Sequence, residues 1–98
     1  ILFVSVISPF KSVRKEARAL FGKFFIEVFV SCSIDICKSR DVKGLYKLAE
    51  KNQIENFIGL HVPYEPPENP DIVLNTEEET IEKSVSKLID YLERKLSF

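Results

Sequence analysis

The chain has no methionine and no tryptophan, only three glycines and two cysteines, and a single histidine. Each scarcity excludes something. Gly22, Gly44 and Gly59 lie too far apart to build a Gly-x-x-x-x-Gly-Lys-Ser/Thr phosphate loop. Cys32, Cys37 and His61 are too few for a four-ligand Cys/His zinc site, and the cysteine spacing is not a redox Cys-x-x-Cys. Both cysteines read as reduced, half-buried thiols, which suits the cytoplasm. No excess of positive charge is present: 14 basic and 15 acidic residues leave a net charge of -1. That excludes a broad nonspecific nucleic-acid surface, because such binding rests on phosphate neutralisation. No long hydrophobic run is present either. Ile1 to Ile7 is apolar but too short to span a bilayer, and it has neither a basic flank nor a small-residue cleavage site. With no initiator methionine and an apolar start, residues 1–98 are expected to be the C-terminal portion of a longer protein.

What is present is a soluble composition, 45% hydrophobic and 30% charged, in a length that suits one domain. Ile1–Ile7 reads as a buried strand that Ser8-Pro9-Phe10 breaks. Ser12 is placed to cap a helix bearing Val13, Ala17, Leu20 and Phe21 on one face, with Gly22 at its end. Phe25–Val30 reads as a second strand. Ser33 is placed to cap a short helix from Ile34 to Ser39, and Gly44 to Lys51 reads as another, with Leu45, Leu48 and Ala49 inward. Pro63, Pro66, Pro67 and Pro70 exclude a regular helix from the connection between Asn52 and Asp71. A long connection of that kind is usually functional. Ile72–Asn75 reads as a third strand, and Thr80 caps a helix with Ile81, Val85, Leu88, Ile89, Leu92 and Leu96 at helical spacing. The order β-α-β-α-α-β-α predicts an α/β fold: a parallel sheet with helices on both faces.

In such a sheet ligands bind beyond the carboxyl ends of the strands. Topology brings four segments there: Ser8 to Lys11, the stretch after Val30 leading to Arg40 and Lys43, Asn75-Thr76-Glu77, and the proline-rich connection with Phe57. The run Arg40-Asp41-Val42-Lys43-Gly44-Leu45-Tyr46-Lys47 holds three cations and one carboxylate. On spacing alone it is either a solvated helix start or a mobile lid over an anion. Cations with an aromatic ring suit a nucleotide, whose base stacks and whose phosphates pair. No nucleophile and base stand together: Ser8 has no neighbouring histidine, and His61 reads as a loop residue. Glu77-Glu78-Glu79 reads as a complement to a helix dipole rather than a metal site.

Read in order, Ile7-Ser8-Pro9-Phe10, then Arg40 to Lys47, then Phe57-Ile58-Gly59, then Pro63-Tyr64-Glu65-Pro66-Pro67-Glu68-Asn69-Pro70, the chain resembles adenylylsulfate kinase. That family is written with I-S-P-Y/F-R/K, R-D-x-K-G-L-Y-K, F-T-G-I-D and P-Y-E-x-P-E-x-P, and the resemblance runs from residue 1 to about 92. It implies the C-terminal part of a P-loop kinase that transfers the γ-phosphate of MgATP to the 3′-hydroxyl of adenosine 5′-phosphosulfate (APS), giving 3′-phosphoadenosine 5′-phosphosulfate (PAPS) in sulfate assimilation. The phosphate loop and the Mg²⁺ ligands are expected upstream, so the 98 residues alone are expected to be inactive.

The resemblance also implies roles. Ile7 and Ser8 line the APS site, and in some members the serine has been regarded as a phosphoryl acceptor; otherwise it is a strand-end hydroxyl satisfying backbone. Lys43 is the lid lysine over the phosphosulfate. Phe57 packs on the APS adenine with Asn56 beside it, Arg40 faces ATP, and Thr76 lies near the ATP base. The implied partners are APS and ATP, a second copy in a homodimer, and an ATP sulfurylase by fusion or association. The alternative is a catalytically silent, PAPS-binding regulatory module of an ATP sulfurylase. Another small P-loop kinase fits less well, because of the K-G-L-Y lid and the proline run. Three residues depart from the pattern. Ile58 and His61 stand where the family has threonine and aspartate, and Glu50 stands where it often has arginine. A carboxylate near a polyanion is unfavourable by about 1 kcal/mol if solvated, so Glu50 is expected to point outward or to weaken affinity, and a partly charged His61 would compensate.

Overall fold

A computed structural model describes residues 1–96. Six regular elements follow in order: α1 (Lys11–Phe21), β1 (Val28–Ser31), α2 (Ile34–Ser39), α3 (Leu45–Glu50), β2 (Ile72–Asn75) and α4 (Ile81–Leu96). A single 3₁₀ turn, Gly22–Phe24, follows α1. The strands are parallel and in register from Val28 opposite Ile72 to Ser31 opposite Asn75. Parallel pairing needs a long crossover, and α2, α3 and the proline-rich connection supply it. The α/β reading with a parallel sheet therefore holds, and both strands deliver their carboxyl ends to one edge.

The first expected strand is not formed. Ile1 to Ile7 takes no part in the sheet, and Leu2 is 86% exposed. An apolar run becomes a strand only where another strand supplies its hydrogen bonds, and β1 and β2 bond only each other. The second strand is shorter than read and shifted by one residue at its end, Val28–Ser31 rather than Phe25–Val30.

Ser12 does not cap α1. The N-cap is Phe10, which offers no side-chain bond. The cap comes from the proline-rich run instead: the Glu65 carboxylate accepts from the Lys11 amide at 2.8 Å, a negative charge at the positive end of the helix dipole. Glu68 adds an ion pair to the Lys11 ammonium at 3.0 Å. At the other end Gly22 takes φ 57° and returns its amide to the Arg18 carbonyl, a conformation that glycine adopts without a Cβ penalty.

The remaining caps follow the sequence. The Ser33 hydroxyl accepts from the Ile36 amide at 3.4 Å, and the Thr80 hydroxyl accepts from the Lys83 amide at 3.1 Å. Glu79, in the acidic cluster, receives the Ser84 hydroxyl at 2.8 Å and the Lys87 ammonium at 3.0 Å. Those bonds, Lys87 first, hold its carboxyl below the usual range.

The core is Ala49, Ile72, Leu74 and Leu92, with Ser84 beside them. Ala49 is fully buried, whereas Leu45 and Leu48 are only partly covered. Of the α4 stripe, Leu92 is buried while Ile81, Val85 and Ile89 stay exposed.

Candidate functional site

The run from Arg40 to Lys47 is a capped turn. Asp41 accepts from the amides of Tyr46 at 3.1 Å and Lys47 at 3.3 Å, so its carboxylate satisfies the free first turn of α3. Gly44 is the N-cap residue at φ 68°, ψ 18°, the left-handed region. Aspartate three residues before glycine is thus required by the turn itself. Between them Val42 is 97% exposed and Lys43 is also exposed. Lys43 makes no ion pair among the described residues. A lysine on a capped turn, with no carboxylate partner among the described residues, is available to an external anion.

Tyr46 ties this turn to the connection that follows. Its ring meets Phe57 edge-on at 4.9 Å between centroids. The Phe57 carbonyl accepts from the amides of Leu60, His61 and Val62, closing a tight turn. The Phe57 amide donates to Nδ1 of His61 at 3.0 Å, which makes this histidine a brace for the turn. Asn56 and His61 line an open depression of about 330 Å³ with Asn52, Ile54 and Glu55. A second, about 260 Å³, is lined by Lys38, Arg40, Asp41, Val42 and Lys47 among others. Both are at or below the small end of ligand pockets. Glu50 points to α2, pairing with Lys38 at 3.3 Å.

Behind Arg40 sits a polar chain. Its guanidinium Nη1 lies 4.0 Å from the Cys32 sulfur. Cys37 has Cys32 and Tyr46 as neighbours. Burial, and then the Cys32 contact, push the Cys37 thiol up. Burial, and then Cys37, push the Tyr46 phenol up. Both cysteines are free and half-buried.

Ser8 and Ile7 belong to a different group. Ser8 has φ 43°, one of three non-glycine residues at positive φ among the described residues, with Asn52 and Asn56. Its carbonyl accepts from Arg14 Nη1 at 2.6 Å. The other fork of Arg14 donates to the Glu65 carbonyl, and its guanidinium lies 5.5 Å from the Tyr64 ring centroid. The Glu65 amide returns a bond to the Pro9 carbonyl at 2.9 Å. Tyr64 in turn stacks on Phe29 of β1 at 6.2 Å. Arg14 carries no site signal in the sequence, and Glu65 enters there only within the Pro63–Pro70 run.

Thr76 stands at the shared strand edge. Its amide and hydroxyl both donate to the Ser31 carbonyl at 3.0 Å. Glu77 next to it accepts from the Ser33 hydroxyl at 2.5 Å. The expected site residues therefore fall into three groups: Arg40, Lys43 and Phe57 around Tyr46, Ile7 and Ser8 around Arg14, and Thr76 at the strand ends. Among the described residues no hydrogen bond or ion pair joins Lys43 to Ser8. Nor is any group of three or more His, Cys, Asp or Glu side chains arranged to hold a metal ion among them.

The family model for adenylylsulphate kinase matches residues 1–75. The chain belongs to the adenylylsulphate kinase family. It is 50% identical over 95 residues to the adenylyl-sulfate kinase of Halothermothrix orenii, covering 97% of this chain and 51% of that protein. It is 47% identical over 90 residues to that of Clostridium kluyveri, covering 92% and 45%. The fold is similar to the Mycobacterium tuberculosis APS kinase solved with AMPPNP and APS, at TM-score 0.83 and 36% identity, covering 90% of this chain and 52% of that one. The chain thus spans about half the length of the curated relatives it matches. The sheet and helices described above are part of a P-loop kinase fold.

Proposed function

We propose that this chain is the APS-holding part of an adenylylsulfate kinase domain, and that the whole protein transfers the γ-phosphate of ATP to the 3′-hydroxyl of APS. The observation that carries the reading is the Asp41-capped turn at Gly44 that presents Lys43 without an ion pair among the described residues and is backed by the Tyr46–Phe57 pair. Phosphoryl transfer gains most of its rate from positioning and charge stabilisation, because its transition state is spread negative charge. In this reading Lys43 meets the phosphosulfate or the transferred group, and Arg40 faces ATP. Phe57 packs on the APS adenine with Asn56 at its edge, Ile7 and Ser8 line the opposite wall, and Thr76 lies by the ATP base. The Asn52–His61 depression fits the edge of a nucleotide rather than a whole one. Glu50, held by Lys38, is turned to a cation of its own.

ATP enters as MgATP, with the ion's ligands outside this chain. The reading includes a homodimer, an ATP sulfurylase as fused or associated partner, and a cytoplasmic site of action. The test is PAPS formation from APS and ATP by the full-length protein, followed by chromatography. Turnover there, with none from the 98-residue chain alone, is the expected result. PAPS binding without turnover by the full-length protein would favour the silent regulatory module. Turnover by the 98-residue chain alone would refute the division of labour.

A further inference from the structure

Arg14 makes two hydrogen bonds, an ion pair and a cation–π contact, and no role described so far uses it. Its guanidinium donates at once to the Ser8 carbonyl at 2.6 Å and to the Glu65 carbonyl, and its Nε lies 3.6 Å from Glu27. It is only 10% exposed along its side chain. The Tyr64 ring covers it from one side. The residue it grips first is one of the strained ones. A serine at φ 43° sits in the left-handed region, which non-glycine residues occupy at a cost and which surrounding structure must enforce. The second carbonyl it grips belongs to the run whose carboxylate caps α1.

We propose that Arg14 is a positioning residue for APS: by holding the Ser8 and Glu65 carbonyls in one planar fork, it fixes Ile7 and Ser8 in the conformation that receives the nucleotide. This rests on the function proposed above. The fork matters, because lysine offers a single point donor and cannot span two carbonyls with fixed geometry. Burial matters as well, because charge-assisted bonds out of water are the stronger ones. Arg14 acts through Ser8 and touches no substrate, so its loss shows selectively in APS use. ATP, assigned to Arg40 and Thr76, is served by other elements.

The experiment uses the full-length kinase with Arg14→Lys, Arg14→Met and, as control, Glu27→Gln, which removes the ion pair but keeps both carbonyl bonds. Arg14→Lys and Arg14→Met are expected to raise KM for APS about tenfold or more, with KM for ATP within about threefold of the parent. Glu27→Gln is expected to leave both unchanged. Equal rises in both KM values, or an equal rise in Glu27→Gln, would overturn the proposal. Hydrogen exchange supplies a second readout that needs no activity. The Glu65 amide, bonded to the Pro9 carbonyl, is expected to lose protection in both Arg14 variants and to keep it in Glu27→Gln; unchanged protection in the Arg14 variants would overturn the proposal. If the parent enzyme does not use APS, the functional reading fails, while hydrogen exchange still decides whether Arg14 fixes the segment.

Discussion

Arg18 on α1 donates to the Asp71 carboxylate at 2.7 Å, joining two residues 53 positions apart at the entrance to β2. Asp71 also accepts from the Glu27 amide at 2.7 Å, so one carboxylate links α1, the start of β1 and the start of β2. Burial acts to raise its pKa, but the Glu27 amide and then Arg18 outweigh it and the net shift is downward. A depressed carboxylate stabilises the fold above its unfolded pKa, and that contribution is lost as pH falls through the folded value. Asp71→Asn is therefore expected to cost about 1 kcal/mol at neutral pH, with Arg18 partly exposed and screened. The difference from the parent should shrink below about pH 4. Denaturant titrations at several pH values measure it, and a constant difference would contradict the linkage.

Lys43→Ala in the full-length protein is expected to lower kcat for PAPS formation about 100-fold. Its melting temperature should not move, because Lys43 is exposed and makes no ion pair among the described residues. Steady-state kinetics beside a thermal melt separate the two effects. Loss of activity together with a lowered melting point would point to a structural role instead.

Tyr46 and Phe57 are expected to couple. A double-mutant cycle with Tyr46→Leu and Phe57→Leu should return about 1 kcal/mol for the edge-on pair. Phe57→Leu should also weaken APS binding, whereas Tyr46→Leu should do so only through Phe57. Additive stabilities would remove the pair as the link between the Lys43 turn and the Phe57 turn.

Cys37 is expected to resist alkylation. Burial, then its contact with Cys32, raise its pKa, so less thiolate is present at mildly alkaline pH. Iodoacetamide at about pH 8 should label it several-fold more slowly than in denaturant, as read by peptide mass spectrometry. Equal rates would show that burial does not shield Cys37 in the folded chain.

The 98-residue chain by itself is expected to self-associate. Ile1, Leu2, Phe3 and Val4 are each at least 70% exposed, and so are Leu20, Phe24 and Ile81. Apolar area of this extent seeks cover. Light scattering measures it, and a monomer with a cooperative melt would be the opposite result.

Structure is legible in the sequence where a residue acts on its own neighbours. Ser33 and Thr80 cap the helices they precede, and Ile72–Asn75 is a strand, while Gly44, expected inside a helix from Gly44 to Lys51, is the left-handed N-cap of α3. Readings failed where the decision was made at a distance. Ile1–Ile7 has the composition of a buried strand, but pairing needs a partner that periodicity does not reveal. Ser12 has the residue type of a cap, yet Glu65, 54 residues after Lys11, takes the Lys11 amide. The candidate site divides in the same way. Asp41 and Gly44 are explicable from their spacing, whereas Arg14 gains its meaning only when Ser8 and Glu65 are placed on either side of it.

The Glu65 cap also sets an order of events in folding. A helix normally nucleates from signals within its first turn, but α1 has no side chain there to satisfy its leading amides. The first turn is therefore stabilised only after a loop of more than fifty residues has closed, and closure of that kind costs entropy before it returns any contact. The N-terminal turn of α1 is expected to form late, with φ-values near zero at Lys11, while the self-capped start of α4 forms early. Time-resolved exchange labelling during refolding would order the two.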